Sequence, residues 1–133
     1  MTNRMIHRRF PGLSQTLLLL LVAAICRGED TELFEKKIRP ILVERCYECH
    51  SAQSRKVKGG LLLDSREGLL KGGESGAVVV PGQPEKSLLI KAIRYTNEDL
   101  QMPPAKAGEK KLSSEQIALI EKWVKDGAVW PGQ

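Results

Sequence analysis

Five residues, Cys46-Tyr47-Glu48-Cys49-His50, constrain this chain more than any other feature. The two thiols are three positions apart, on one turn of chain, and a histidine follows the second directly. A turn of that kind can add both sulfurs to one edge of a planar macrocycle and place the imidazole against the metal at its centre. C-x-x-C-H is the pattern by which haem is attached covalently. Cys46 and Cys49 are then the thioether sites and His50 the ligand on one face of the iron.

A C-x-x-C pair also serves as a redox dithiol or as half of a structural zinc site, and the remaining sequence weighs against both. A thioredoxin-like dithiol follows a strand in a βαβ unit, whereas this pair follows a segment that reads as helix, with no strand-helix-strand alternation around it. A structural zinc site takes four ligands. His50 is the only histidine after residue 7 and no cysteine follows Cys49, which leaves such a site one ligand short.

The 133 residues and 41% hydrophobic content fit one small domain once the N-terminal portion is set aside. Residues 1–28 read as a secretory signal, either removed or kept as an uncleaved anchor, and residues 29–133 as the domain. Arg4, Arg8 and Arg9 give the basic flank, Leu17 to Cys26 is unbroken apolar sequence, and Val22-Ala23-Ala24 or the small residues up to Gly28 offer cleavage sites. The apolar run is too short to span a bilayer comfortably. Ile25 stands where a lipoprotein signal has a small residue, which argues against lipidation at Cys26.

The basic balance belongs largely to that signal. Of 21 Lys and Arg, removing Arg4, Arg8 and Arg9 leaves 18 against 16 acids, a net charge of +2 from Arg27 onward. No clustered basic stripe of the kind that nucleic-acid binding calls for remains. The chain is therefore expected outside the cytoplasmic membrane, in the periplasm or beyond, where haem of this kind is attached, with membrane contact only through an uncleaved anchor.

From Asp30 the spacing predicts a helix, capped by Asp30 or Thr31, with Phe34, Ile38, Ile41 and Leu42 on one face and a kink or break at Pro40. Ser51 to Lys58 reads as a solvated loop, and Gly59-Gly60-Leu61-Leu62-Leu63 as an extended segment or a cover for the haem face. Asp64 is placed to cap a brief helix that ends at Gly72 or Gly73. Gly72-Gly73-Glu74-Ser75-Gly76 lacks the Gly-Lys-Ser/Thr of a phosphate loop and reads as a flexible turn. Ala77 to Val80 is a short β-prone run. A helix from Glu85 to about Tyr95 follows Pro84, with Leu88, Leu89, Ala92 and Ile93 inward. Ser113 and Gln116 form a capping box for a final helix whose face is Ile117, Ile120, Trp123 and Val124. Phe34 and Trp123 are candidates for one helix crossing.

The polar stretch from Asn97 to Lys111 holds a second informative residue. With Met1 and Met5 in the signal, Met102 is the only methionine of the domain, and Pro103-Pro104 follows it. Two prolines remove two backbone donors and favour an extended strap. A gap-filling core residue is the ordinary role of methionine. A site that otherwise offers only lysines as a sixth ligand favours thioether ligation by Met102 instead.

Helix, C-x-x-C-H, loops, helix, methionine strap and terminal helix is the layout of class I cytochromes c. The run from Phe34 to Trp130 resembles the planctomycete-type cytochrome c domain more closely. The resemblance rests on Ile38 to Leu42, Cys46 to His50, Gly59 to Arg66, Gly72 to Gly76, Val80-Pro81-Gly82, Ser87-Leu88-Leu89, Met102-Pro103-Pro104 and Trp123 to Trp130. It implies an all-α, cytochrome c-like helical domain around one covalent haem c, with long loops and at most a minor β element. It also implies His50 as proximal and Met102 as distal iron ligand. Leu62 departs from a usual arginine, which puts a polar contact from that position, to a propionate for instance, in doubt. Members of the family usually carry the domain within a larger exported protein, whose other activities do not transfer here.

The expected function is one-electron transfer to and from protein redox partners, not enzyme catalysis. Leu61, Leu63, Leu89, Ile93 and Trp123 are expected to bury the haem, and Lys106, Lys110 and Lys111 read first as a solvated face, with docking of an acidic partner as the other reading. The alternative is a haem-based sensor or a redox-enzyme subunit in which the distal site is open or labile.

Overall fold

The computed structural model describes residue 28, residues 30–105 and residues 111–132. The signal reading, Cys26, Lys106 and Lys110 fall outside the described residues, apart from Gly28. The described residues hold four α-helices and no strand: α1 Arg39–Arg45, α2 Arg66–Lys71, α3 Leu88–Arg94 and α4 Ser114–Lys125. An isolated bridge between Gly73 and Gly76 is the β element found among them. The all-α expectation is met. No helix among the described residues is long and apolar enough to cross a membrane.

Helical backbone enters at residue 30 and runs through Pro40 without the expected break. A π-helical turn at Phe34–Ile38 leads directly into α1, and the Arg39 N–H donates to the Phe34 carbonyl five residues back. Pro40 has no N–H to donate, and in a regular helix its ring would meet the carbonyl four residues earlier. The wider turn absorbs that conflict just before the ring. It also leaves Phe34, Ile38, Ile41 and Leu42 buried, as their spacing implies.

Phe34 lies at the centre of the core. Its ring centroid is 5.6 Å from that of Trp123 in α4 and 4.5 Å from that of Trp130 in the C-terminal tail. The Trp123 indole N–H donates to the Val129 carbonyl at 2.9 Å, which folds the tail back over the first helix. Tilted aromatic pairs of this kind add about 0.5–1.5 kcal/mol beyond the area they bury. The Arg39 guanidinium covers the cluster, 4.8 Å from the Phe34 centroid and 5.4 Å from that of Trp130.

Three local expectations change. Ser65, not Asp64, caps α2, accepting from the Gly68 N–H at 3.1 Å. Asp64 Oδ2 instead accepts from the Ala52 N–H at 2.7 Å and so pins the loop after His50. The helix placed at Glu85–Tyr95 is divided. Pro84–Lys86 forms a 3-10 turn, Ser87 is extended, and α3 begins at Leu88. The cause is Ser87, fully buried, whose hydroxyl accepts from the Val80 N–H at 2.9 Å and donates to the Gln83 carbonyl at 3.0 Å. Those bonds tie the preceding loop to the helix start. Ala77–Val80 therefore finds no strand partner; the Val78 carbonyl accepts from the Leu89 N–H at 2.9 Å. The Ser113–Gln116 capping box forms as the sequence implies.

The glycine-rich turn is a fixed clasp. Glu74 N–H donates to the Gly59 carbonyl at 2.8 Å, holding residues 72–76 against residues 58–61. Gly72 has φ +75°, and a Cβ there would lie 2.2 Å from the Gly76 carbonyl oxygen. Gly72→Ala is expected to destabilise the domain by at least 1–3 kcal/mol, roughly the cost of a non-glycine residue in such a conformation, before the clash is relieved. Urea unfolding of the variant against the parent chain checks this; an unchanged midpoint would show that the clasp yields.

Candidate functional site

The C-x-x-C-H segment leaves α1 as a tight turn. Cys46 N–H and Tyr47 N–H donate to the Leu42 carbonyl at 2.9 and 3.0 Å, and the His50 N–H donates to the Cys46 carbonyl at 2.9 Å. The loop that follows is anchored at its start, where the buried Ser51 hydroxyl donates to the Tyr47 carbonyl at 2.7 Å. The chain then returns alongside the motif. Lys58 N–H donates to the Cys49 carbonyl at 3.1 Å and Leu63 N–H to the His50 carbonyl at 2.8 Å.

This turn faces a cavity of about 360 Å³, within the range of small-molecule and cofactor sites. Cys46, Cys49 and His50 line it, with Leu61 and Leu63 from the return segment, Gly59, Gly73 and Ser75 from the clasp, and Leu88, Leu89, Ala92 and Ile93 from α3. Val78, Leu100, Met102, Pro103, Pro104 and Leu112 complete the apolar lining, and Glu44, Arg45, Glu48 and Lys58 are its charged members. All four site residues read from the sequence are therefore brought to one cavity. Leu61, Leu63, Leu89 and Ile93 line it as expected. Trp123 does not, because its ring is engaged with Phe34 in the core. Leu62 is also absent from the lining, with its Cβ packed over Gly68.

The electrostatics suit an apolar guest. Burial pushes the Cys46 thiol up to about 12, against an ordinary value of 9.0. Burial also lowers the His50 imidazole below its ordinary 6.5, outweighing backbone carbonyl groups of Lys58 and Leu61 that favour the protonated ring. The ring is thus neutral at neutral pH, with a lone pair free for a metal. Its Nδ1 is buried and makes no hydrogen bond of good geometry. Both cysteines are free thiols. Among the described residues no group of three or more His, Cys, Asp or Glu side chains gathers to hold a bare metal ion.

Met102 is 36% exposed while lining the cavity, which sets it apart from a gap-filling core methionine. Its N–H donates to the Ala92 carbonyl at 3.1 Å, and the Met102–Pro103 peptide is cis. The Tyr95 hydroxyl donates to the Pro103 carbonyl. Tyr95 did not stand out in the sequence, and the clasp glycines read only as a turn, since each acts through a backbone partner distant in the chain.

A half-buried neutral imidazole, two thiols on one turn and a thioether, all lining one apolar cavity, fit haem c. An all-α domain that turns its C-x-x-C-H segment onto such a cavity has the layout of a small c-type cytochrome. The comparison with known proteins agrees, for residues 46–106 match the family described as Planctomycete cytochrome C. The match runs from the first motif cysteine to just past the methionine strap, and the resemblance drawn from the sequence is borne out over that stretch. No curated protein and no solved structure matches the chain.

The depressed His50 value has a defined sign. An unfolded chain binds the imidazole proton more readily than the folded one, so stability of the haem-free protein rises with pH through this window. As pH falls below about 6.5, the ordinary value, the unfolding midpoint is expected to drop; the decline from this group ends below its depressed folded value. His50→Gln should remove that component. Parallel denaturation series at several pH values test it, and identical slopes in the two proteins would assign the acid sensitivity elsewhere.

Proposed function

We propose that the chain is an exported mono-haem c-type cytochrome that carries single electrons between protein partners and is not itself an enzyme. The observation that supports this best is the convergence of Cys46, Cys49, His50 and Met102 on one apolar cavity. Cys46 and Cys49 would hold haem c by thioether bonds, and His50 and Met102 would ligate its iron. Bound in this way, the haem supplies an iron that gains and loses one electron.

The chain's own residues define what that iron can do. His50 is kept neutral by burial and needs no proton removed before it ligates. Leu61, Leu63, Leu89 and Ile93 give the cavity apolar walls, which would disfavour the additional charge of an oxidised iron and raise its potential. With the Met102 thioether bound as well as His50, the iron would offer no site to a substrate. The basic flank and apolar run before residue 28 support export, in keeping with the compartment in which such haem is attached.

The exposure of Met102 favours one second reading, in which the thioether detaches and the domain acts as a haem-based sensor or the labile-site subunit of a redox enzyme. Optical spectra of the protein co-expressed with a haem-attachment system separate the two. The electron carrier is expected to show, when oxidised, the weak long-wavelength charge-transfer band of an iron–thioether bond, lost in Met102→Ala. Covalent haem without that band, together with ready carbon monoxide binding by the reduced form, would favour the open site. Cys46→Ser combined with Cys49→Ser should abolish covalent haem, read as loss of haem stain on a denaturing gel; retention of the stain would overturn the assignment of both thiols.

A further inference from the structure

Packing holds Pro103, which is buried, but not the Met102 side chain, which is 36% exposed. The two prolines have no N–H with which to tie the backbone. The polar ties of the strap therefore run through its one remaining donor and through its carbonyls. The donor is the Met102 N–H, bonded to the Ala92 carbonyl in the last turn of α3 at 3.1 Å. The carbonyl is that of Pro103, which accepts from the Tyr95 hydroxyl. The two bonds fall on either side of the Met102 side chain, and both originate at the C-terminal end of α3.

Tyr95 is itself placed by an unusual backbone. It caps α3 in the left-handed region, at φ 61° and ψ 35°, a conformation uncommon for a residue with a side chain. Its N–H donates to the Ala92 carbonyl at 3.2 Å, the same acceptor that takes the Met102 N–H. The Lys111 ammonium lies 5.0 Å from the centre of its ring, within the range of a cation–π contact. Between the two bonds the chain turns back at Asn97, whose carbonyl accepts from the Leu100 N–H at 3.1 Å and whose side chain accepts from the Asp99 N–H at 2.8 Å. A left-handed cap, a closed turn and a phenol aimed at the strap form one return path from α3 to Met102.

We propose that Tyr95 is the positioning residue for Met102, its hydroxyl holding the strap so that the thioether stays over the cavity, and that this bond sets how readily Met102 leaves the iron. The proposal rests on the reading of Met102 as the distal ligand. A hydrogen bond of ordinary net strength changes an equilibrium by roughly two- to tenfold. Without the hydroxyl, the detached fraction of Met102 rises by that factor. An external ligand that binds only the detached form gains apparent affinity in proportion.

The test compares the haem-carrying protein with Tyr95→Phe, using Arg94→Gln as a control. Arg94 neighbours Tyr95 but pairs with Glu121 of α4 at 2.5 Å, away from the strap. Three quantities are read: the intensity of the iron–thioether band, the affinity of the oxidised protein for added imidazole, and amide hydrogen exchange at Met102. Tyr95→Phe is expected to weaken the band, tighten imidazole binding about two- to tenfold, and speed exchange at the Met102 amide. Arg94→Gln should leave all three unchanged. If Tyr95→Phe does not fold, Lys111→Gln, which only loosens the ring, should move the same three quantities in the same direction by less. Unchanged imidazole affinity and exchange in the tyrosine variant, or equal shifts in Arg94→Gln, would overturn the proposal. If the parent protein itself lacks the band, the ligand assignment fails, and exchange at Met102 alone then decides whether Tyr95 holds the strap.

Discussion

Two backbone hydrogen bonds hold the site in place: Lys58 N–H to the Cys49 carbonyl and Leu63 N–H to the His50 carbonyl. They close the chain after the motif into a loop and lay residues 58–63 along it, so that the thiols and the imidazole share a wall with Leu61 and Leu63. Much of the remaining structure serves this return. Asp64 and Ser51 pin the two ends of the loop. The Gly59–Glu74 bond then secures the return segment from the other side, and Gly73 lets the two backbones approach, since a Cβ there would lie 2.5 Å from the Gly59 carbonyl oxygen. Burial of the motif by local backbone pairing explains how one short segment can both raise the Cys46 thiol and lower the His50 imidazole. Each shift comes from the same loss of water.

The apolar residues divide into two groups with different tasks. Phe34, Trp123 and Trp130, with Leu42, Ile120 and Val124, form a core closed on itself. Leu89 and Ile93 also belong to that core, yet they line the cavity on their other side. Helix α3 is thus shared, and Ile90, 1% exposed and absent from the lining, belongs to the core alone. The cavity of about 360 Å³ has mostly apolar walls. A large flat group held there would pack against α3 from the side the aromatic core does not reach.

The sequence carried the parts of this arrangement that depend on residue type at fixed spacing. The motif, the capping box at Ser113, the buried face of α4 and the Phe34–Trp123 contact follow from chemistry or periodicity that a single segment contains. What it did not carry depends on partners far away in the chain. Asp64 and Ser65 are both competent caps, and only the Ala52 N–H, twelve residues back, decides between them. Ser87 interrupts a helical pattern because its hydroxyl is needed by Val80. Pro40 has the opposite lesson: a strong local breaker is overridden, because the buried face of Phe34, Ile38, Ile41 and Leu42 stabilises a continuous helix by more than one widened turn costs.

The two sides of the cavity are built by unlike means. His50 lies in a motif whose neighbours at residues 42, 46, 58 and 63 all bond to its backbone or to that of the turn, so its position is fixed by a network of short-range ties. Met102 lies on a polar segment, partly exposed, with one backbone bond and one phenol bond returning it to the end of α3. The first side thus shares its backbone among several ties, while the second has two. On the proposed reading the distal side is therefore where substitutions tune ligand exchange, while the proximal side sets whether the domain can carry haem at all. That asymmetry follows from how many backbone groups each segment leaves available: the cysteine turn keeps all of its N–H donors, and the strap gives up two of them to proline.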